Sequence, residues 1–144
     1  LESEFTILIA DRNSHVREFL KREMTEAGFR VLQAEKGRDV IDMVFNCESL
    51  RLVILDPDLP DMDEAVLLKK LGDRIPALPV VVHAFPSEET DYSRYLKDKE
   101  FVEKGGRSIE RLKQLVIARL SAKKAKSAGN AEENNPKNDI GVLS

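Results

Sequence analysis

At 144 residues, with 42% hydrophobic and 34% charged side chains, the chain has apolar matter for one domain core under a well-solvated surface. A formal net charge of −3 gives no broad basic field, so nucleic acid is not an expected partner, and no apolar stretch is long enough to cross a bilayer. The single cysteine, Cys47, cannot close an internal disulfide; that fits a reducing, cytoplasmic setting, and its plain reading is a small hydrophobe on a helix.

In chain order, Thr6–Ala10 is a first strand; it is too short, and lacks the basic lead, for a signal peptide. Asn13 and Ser14 are N-cap residues for a helix whose apolar face is Val16, Phe19, Leu20, Met24 and Ala27, closed by Gly28 in the left-handed region. A second strand runs from Phe29 to Leu32. Gly37 and Arg38 open a helix with Val40, Ile41, Val44 and Phe45 on one face. Leu52–Leu55 is an unbroken apolar run, the pattern of a strand buried on both faces. Asp63 caps a third helix that buries Val66, Leu67 and Leu71. Pro76 and Pro79 punctuate a loop, and Val80–Val82 is a fourth strand. Ser87 opens a short fourth helix with Tyr92, Tyr95 and Leu96 as its apolar positions. Phe101 and Val102 form a fifth strand ending near Lys104. Ser108 caps a last helix striped by Ile109, Leu112, Leu115, Val116 and Leu120. Composition then turns polar and aperiodic, which predicts a domain over residues 4–124 and a disordered tail over 125–144.

Five strand–helix units with short connections predict an α/β fold: a doubly wound, five-stranded parallel sheet. In such sheets ligands bind at the carboxyl edge of the strands. Asp11, Asp56, Ala84 and Lys104 all fall at strand ends on that edge. Each has a plain alternative. Asp56 precedes Pro57 and would serve as a turn initiator, Asp11 as a helix cap, and Lys104 as an exposed edge lysine. His15 reads as an exposed first-turn residue and His83 as a partly buried structural one, without partners at zinc spacing. No phosphate-binding glycine loop and no nucleophile–base grouping is present, so the chain is not expected to be an enzyme.

The strand end Ile7-Leu8-Ile9-Ala10-Asp11, the helix start Val16-Arg17-Glu18, the stretch Asp56-Pro57-Asp58-Leu59-Pro60-Asp61-Met62-Asp63 and the run Phe101-Val102-Glu103-Lys104 together resemble the receiver domain of bacterial two-component response regulators. The resemblance covers roughly residues 5–122 and implies a flavodoxin-like sheet of order 2-1-3-4-5. It implies that Asp56 accepts a phosphoryl group from a sensor histidine kinase. Mg²⁺ would be held by Asp11, Asp56 and the carbonyl of Asp58, offsetting charge that gathers on oxygen during transfer. Lys104 would pair with the acceptor or its phosphoryl oxygens. The switch positions are Ala84 and Phe101, and the readout is altered binding of a downstream protein or output domain.

Some positions depart from the family pattern. Arg12 stands where a second acid is usual, Ala84 where a hydroxyl is usual, Glu64 where a glycine is usual, and Gly105 where proline follows the lysine. Arg12 removes a hard oxygen ligand. Pointing inward at ~6 Å from the ion, its charge would repel Mg²⁺ by ~5 kcal/mol at ε ~20; turned into water it is largely screened. An inward Arg12 paired with Asp11 and Asp56 would instead stand in for the metal, and Asp58 or Asp61 could supply a replacement carboxylate. Two functions therefore stand side by side: a phosphoryl-accepting receiver, and a degenerate receiver that binds partners without phosphorylation.

Overall fold

The computed structural model describes residues 5–86 and 91–133, with side chains through residue 121. Two compact units divide between Lys113 and Gln114. The first holds the sheet: β1 (Thr6–Ala10), β2 (Arg30–Ala34), β3 (Leu50–Leu55), β4 (Val80–Ala84) and β5 (Lys99–Glu103). All pairings are parallel and the order is β2-β1-β3-β4-β5. The strands β1 and β4 are buried at every position, and β3 at all but Arg51, as their continuous apolar runs require of central strands covered on both faces. At the edge, β5 exposes four of its five residues.

The crossovers are α1 (Ser14–Glu26), α2 (Gly37–Asn46) and α3 (Glu64–Gly72). At the start of α1, Asn13 Oδ1 accepts from the backbone N–H groups of His15 and Val16, a cap of about 1 kcal/mol. Leu20 and Met24 are fully buried, while Phe19 stays 44% exposed at the margin of the stripe. Gly28 follows with φ of +99°, a conformation that costs other residues but not glycine. Helix α2 buries Val40 and Val44 and leaves Phe45 outside. Its first residues are capped from a distance: the Asp61 carboxylate accepts from Gly37 N–H at 2.6 Å and Arg38 N–H at 3.1 Å. Helix α3 buries Leu67, Leu68 and Leu71. This corrects the predicted face, because Val66 is 44% exposed and the inward stripe is rotated toward Leu68. Asp63 occupies the N-cap position but makes no side-chain capping bond.

The segment between β4 and β5 differs from prediction. Its described part holds only a 3₁₀ turn, Tyr92–Arg94, and the expected cap Ser87 lies outside the described residues. Leu96 is buried at the end of this turn. The turn lies directly on the end of α3: a Cβ at Gly72 would sit 2.0 Å from the carbonyl oxygen of Tyr95, so only glycine fits. The last helix, α4, spans Ser108–Glu133 and crosses into the second unit. It is helical through residues 125–133, where the sequence predicts an unstructured tail. Ala, Lys and Glu are abundant there, and all are strong helix formers. Residues 134–144 of that predicted tail lie outside the described residues. No helix among the described residues is long and apolar enough to cross a membrane.

Candidate functional site

Register brings the predicted residues together. Ala10 pairs with Leu55 across β1 and β3, so Asp11 and Asp56, each one step further, stand abreast at the carboxyl edge. Ala84 pairs with Glu103 across β4 and β5, and the next residue is Lys104. Each aspartate is then fixed twice. Asp11 Oδ1 accepts from Asn13 N–H at 2.9 Å and Asp56 Oδ1 from Asp58 N–H at 2.9 Å. These are two matching turns in which a carboxylate binds the backbone two residues on. The other oxygen of each faces the Lys104 ammonium, Asp11 Oδ2 at 3.0 Å and Asp56 Oδ2 in direct hydrogen bond.

Asp11 and Asp56 are 2% and 7% exposed. Two like charges buried side by side destabilise each other, and Lys104 between them is the compensation. Burial alone pulls the Lys104 ammonium toward deprotonation, but its bonds to Asp56 and Asp11 outweigh this and hold its pKa above the ordinary value. The turn role expected of Asp56 is thus realised locally, and Asp11 forms a matching turn while the cap of α1 falls to Asn13, both within a joint arrangement that a turn alone does not need.

A hollow of about 360 Å³ opens over this edge, lined among others by Asp56, Lys104, Arg12, Asp58, Ala84 and Glu64. Ala84 offers only a methyl group to it. Arg12 does not turn toward Asp11 or Asp56. Its guanidinium meets Asp58 Oδ2 at 3.4 Å, and both side chains are more than half exposed. Asp58 is therefore engaged at the rim and Asp61 in capping α2. The bond from Gly37 also lowers the Asp61 pKa and, joined by the weaker effect of the Arg38 bond, outweighs the opposing effect of burial. Phe101 is 41% exposed, its ring stacked on that of Tyr92 at 6.1 Å.

Several contributors have contacts that the sequence did not indicate. Arg17 donates to the Asp11 carbonyl at 2.7 Å and pairs with Glu35. Phe85, 71% exposed, places its ring 5.8 Å from Lys104 Nζ. Its position next to Ala84 at a strand end was the available signal. His83, 2% exposed, is buried more fully than the sequence suggests. Its Nε2 lies 2.9 Å from Ser108 Oγ, which itself donates to the Gly105 carbonyl. The hydroxyl therefore accepts from Nε2–H, and it is engaged here rather than in capping α4. The other nitrogen, Nδ1, is buried without a partner. Desolvation, helped by the nearby Lys104 charge, lowers the His83 pKa to about 4, so this imidazole is neutral at ordinary pH.

The oxygen atoms around Asp56 are of the type that hard cations prefer. Two buried carboxylates and the Asp58 carbonyl are oxygen ligands of the kind Mg²⁺ takes while keeping several waters. Glu64 Oε2 is buried without a hydrogen-bond partner, and Glu64 lines the same hollow. Among the described residues no three His, Cys, Asp or Glu side chains form a ready-made metal cluster, so an ion here would rest on Asp11, Asp56, the Asp58 carbonyl and water.

The comparisons with known proteins agree with this geometry. The chain is 34% identical over 74 residues to the DNA-binding transcriptional regulator NtrC of Klebsiella pneumoniae, covering 51% of this chain and 16% of that protein. It is 31% identical over 88 residues to the transcriptional regulatory protein GltR of Pseudomonas aeruginosa, covering 60% and 36%. The matches thus span well under half of these relatives' lengths. A two-component response regulator from Clostridium difficile has the same fold, with a TM-score of 0.70 at 24% identity over 81% of this chain and 96% of that one. Residues 7–126 match the family described as response regulator receiver domain. With its 2-1-3-4-5 parallel sheet and the Asp11, Asp56 and Lys104 side chains meeting at one edge, the chain belongs to the response regulator receiver domain family.

Proposed function

We propose that this receiver accepts a phosphoryl group on Asp56 from a sensor histidine kinase and thereby changes its affinity for a downstream protein or output domain. The observation that carries the reading is Lys104, held between Asp11 and Asp56 at the carboxyl edge of the sheet. Asp56 supplies the attacking carboxylate oxygen, and the turn through Asp58 N–H fixes its orientation. Lys104 supplies positive charge where the transferred group brings negative charge. Asp11, Asp56 and the Asp58 carbonyl would hold Mg²⁺, whose contribution when bound is to offset charge on the phosphoryl oxygens. The domain serves as an acceptor and signal carrier, not as a turnover catalyst. Incubation with Mg²⁺ and acetyl phosphate is expected to add one phosphate by intact mass, and Asp56→Asn to abolish it; an unmodified wild type would refute the assignment.

A second reading, a degenerate receiver that binds partners without phosphorylation, is favoured by Arg12 in place of an acid and by the methyl group of Ala84 in the hollow. On that reading, Arg12→Asp combined with Ala84→Thr creates phosphorylation where the wild type has none.

A further inference from the structure

The hollow over Asp56 is lined by four carboxylates, Asp11, Asp56, Asp58 and Glu64, against two cations, Lys104 and Arg12. A phosphoryl group would bring further negative charge into it. Lys104 is already bonded to both Asp56 and Asp11, and Ala84 offers no hydrogen bond. Arg12 is differently placed. Its ion pair among the described residues, to Asp58 at 3.4 Å, joins side chains that are 53% and 78% exposed. Exposed pairs of this kind contribute little, so exchanging Asp58 for another anion costs little. A guanidinium carries five N–H donors in a planar fork that matches phosphate oxygens.

We infer that Arg12 is a phosphoryl-binding residue of this site: it leaves Asp58 and donates to the non-bridging oxygens of the group on Asp56, supplying the hydrogen bonds that Ala84 cannot. The inference rests on Asp56 being the acceptor. In the transfer from acetyl phosphate, an Asp56 carboxylate oxygen forms a bond to phosphorus. The bond from phosphorus to the acetate oxygen breaks, and acetate leaves with the electron pair. Arg12 keeps all its protons throughout and acts by charge and hydrogen bonding alone. Its departure from Asp58 also frees a carboxylate at the rim, so the charge pattern beside the acceptor changes with phosphorylation.

The test uses the full chain with acetyl phosphate, with and without Mg²⁺, and follows adduct formation by intact mass. Binding of beryllium fluoride, a phosphoryl mimic, is followed by ¹⁹F NMR as a readout independent of transfer. Arg12→Gln is expected to slow adduct formation and weaken beryllium fluoride binding by roughly tenfold or more, the size of a lost charge-assisted bond. Arg12→Lys is expected to recover part of both, since it keeps the charge and loses the fork, and Arg12→Asp to do no better than Arg12→Gln. Modification of Arg12→Gln at the wild-type rate, or of Arg12→Asp faster than wild type, would overturn the inference while leaving Asp56 as acceptor. A wild type that takes up neither phosphate nor beryllium fluoride would remove the acceptor assignment and this inference with it.

Discussion

The β1–β3 side of the sheet edge and the β4–β5 side are built differently. On the first, two aspartates stand abreast, each locked by a backbone N–H two residues on, and the α1 crossover beside them is a capped helix. On the second, the crossover is reduced among the described residues to a 3₁₀ turn pressed onto the end of α3, Ala84 carries no polar group, and β5 is mostly exposed. The first side is fixed by local hydrogen bonds that need only the right residue at the right offset. The second depends on close approach between segments far apart in the chain. Lys104 joins the two, rising from the end of β5 to bond the carboxylates of β1 and β3.

The largest effect is expected at that joint. Lys104→Met leaves two buried carboxylates without their shared cation, and denaturant unfolding near neutral pH should show a loss of about 3–5 kcal/mol. The wild type should keep this contribution below the ordinary lysine pKa, and lose it only as pH rises through the raised folded value. On the other side, Gly72→Ala forces a Cβ against the Tyr95 carbonyl. Upwards of ~3 kcal/mol is expected from overpacking against backbone, with faster amide exchange in the 3₁₀ turn than in α1. A loss spread evenly over both sides would show that the turn does not open separately from the rest.

Beneath the joint, His83 titrates near 4 when folded against about 6.5 when unfolded. Between those values the unfolded chain binds more protons, so stability falls as pH falls from 6.5 to 4, by as much as ~3 kcal/mol. His83→Gln should flatten this slope in a pH series of unfolding curves. The smallest effect is expected from Asp61→Ala, which removes the distant cap of α2. It should lower the melting temperature slightly and speed amide exchange at Gly37 and Arg38, while leaving α1 unchanged.

The same contrast governs what could be foreseen. The strands were legible because Thr6–Ala10, Leu52–Leu55 and Val80–Val82 are apolar runs too short for helices, while their order followed from the family resemblance. Asp11 and Asp56 were legible because each directly follows such a run, and Lys104 because it closes Phe101-Val102-Glu103. Gly28 and Asn13 were legible because turn and cap chemistry is local. Asp61 as the cap of α2 was not, since its partners are 24 and 23 residues away. Tyr92, Tyr95 and Leu96 have helical spacing, yet the described part of their segment holds one short 3₁₀ turn, with the Tyr95 carbonyl close to Gly72. The phase of α3 shifted from Val66 to Leu68 because Leu67, Leu68 and Leu71 satisfy an inward stripe equally well. The direction of Arg12 depended on Asp58, a neighbour across the edge rather than along the chain.

The exposure of β5 carries one more consequence. It is the outermost strand on its side of the sheet, and such margins invite edge-to-edge pairing between molecules. Here the strand reads Lys99-Glu100-Phe101-Val102-Glu103, with charges of both signs turned outward. A neighbouring strand adding there would bring its side chains alongside those charges, which disfavours edge-to-edge self-association. Phe101, stacked on Tyr92, is the exposed large apolar side chain of that strand.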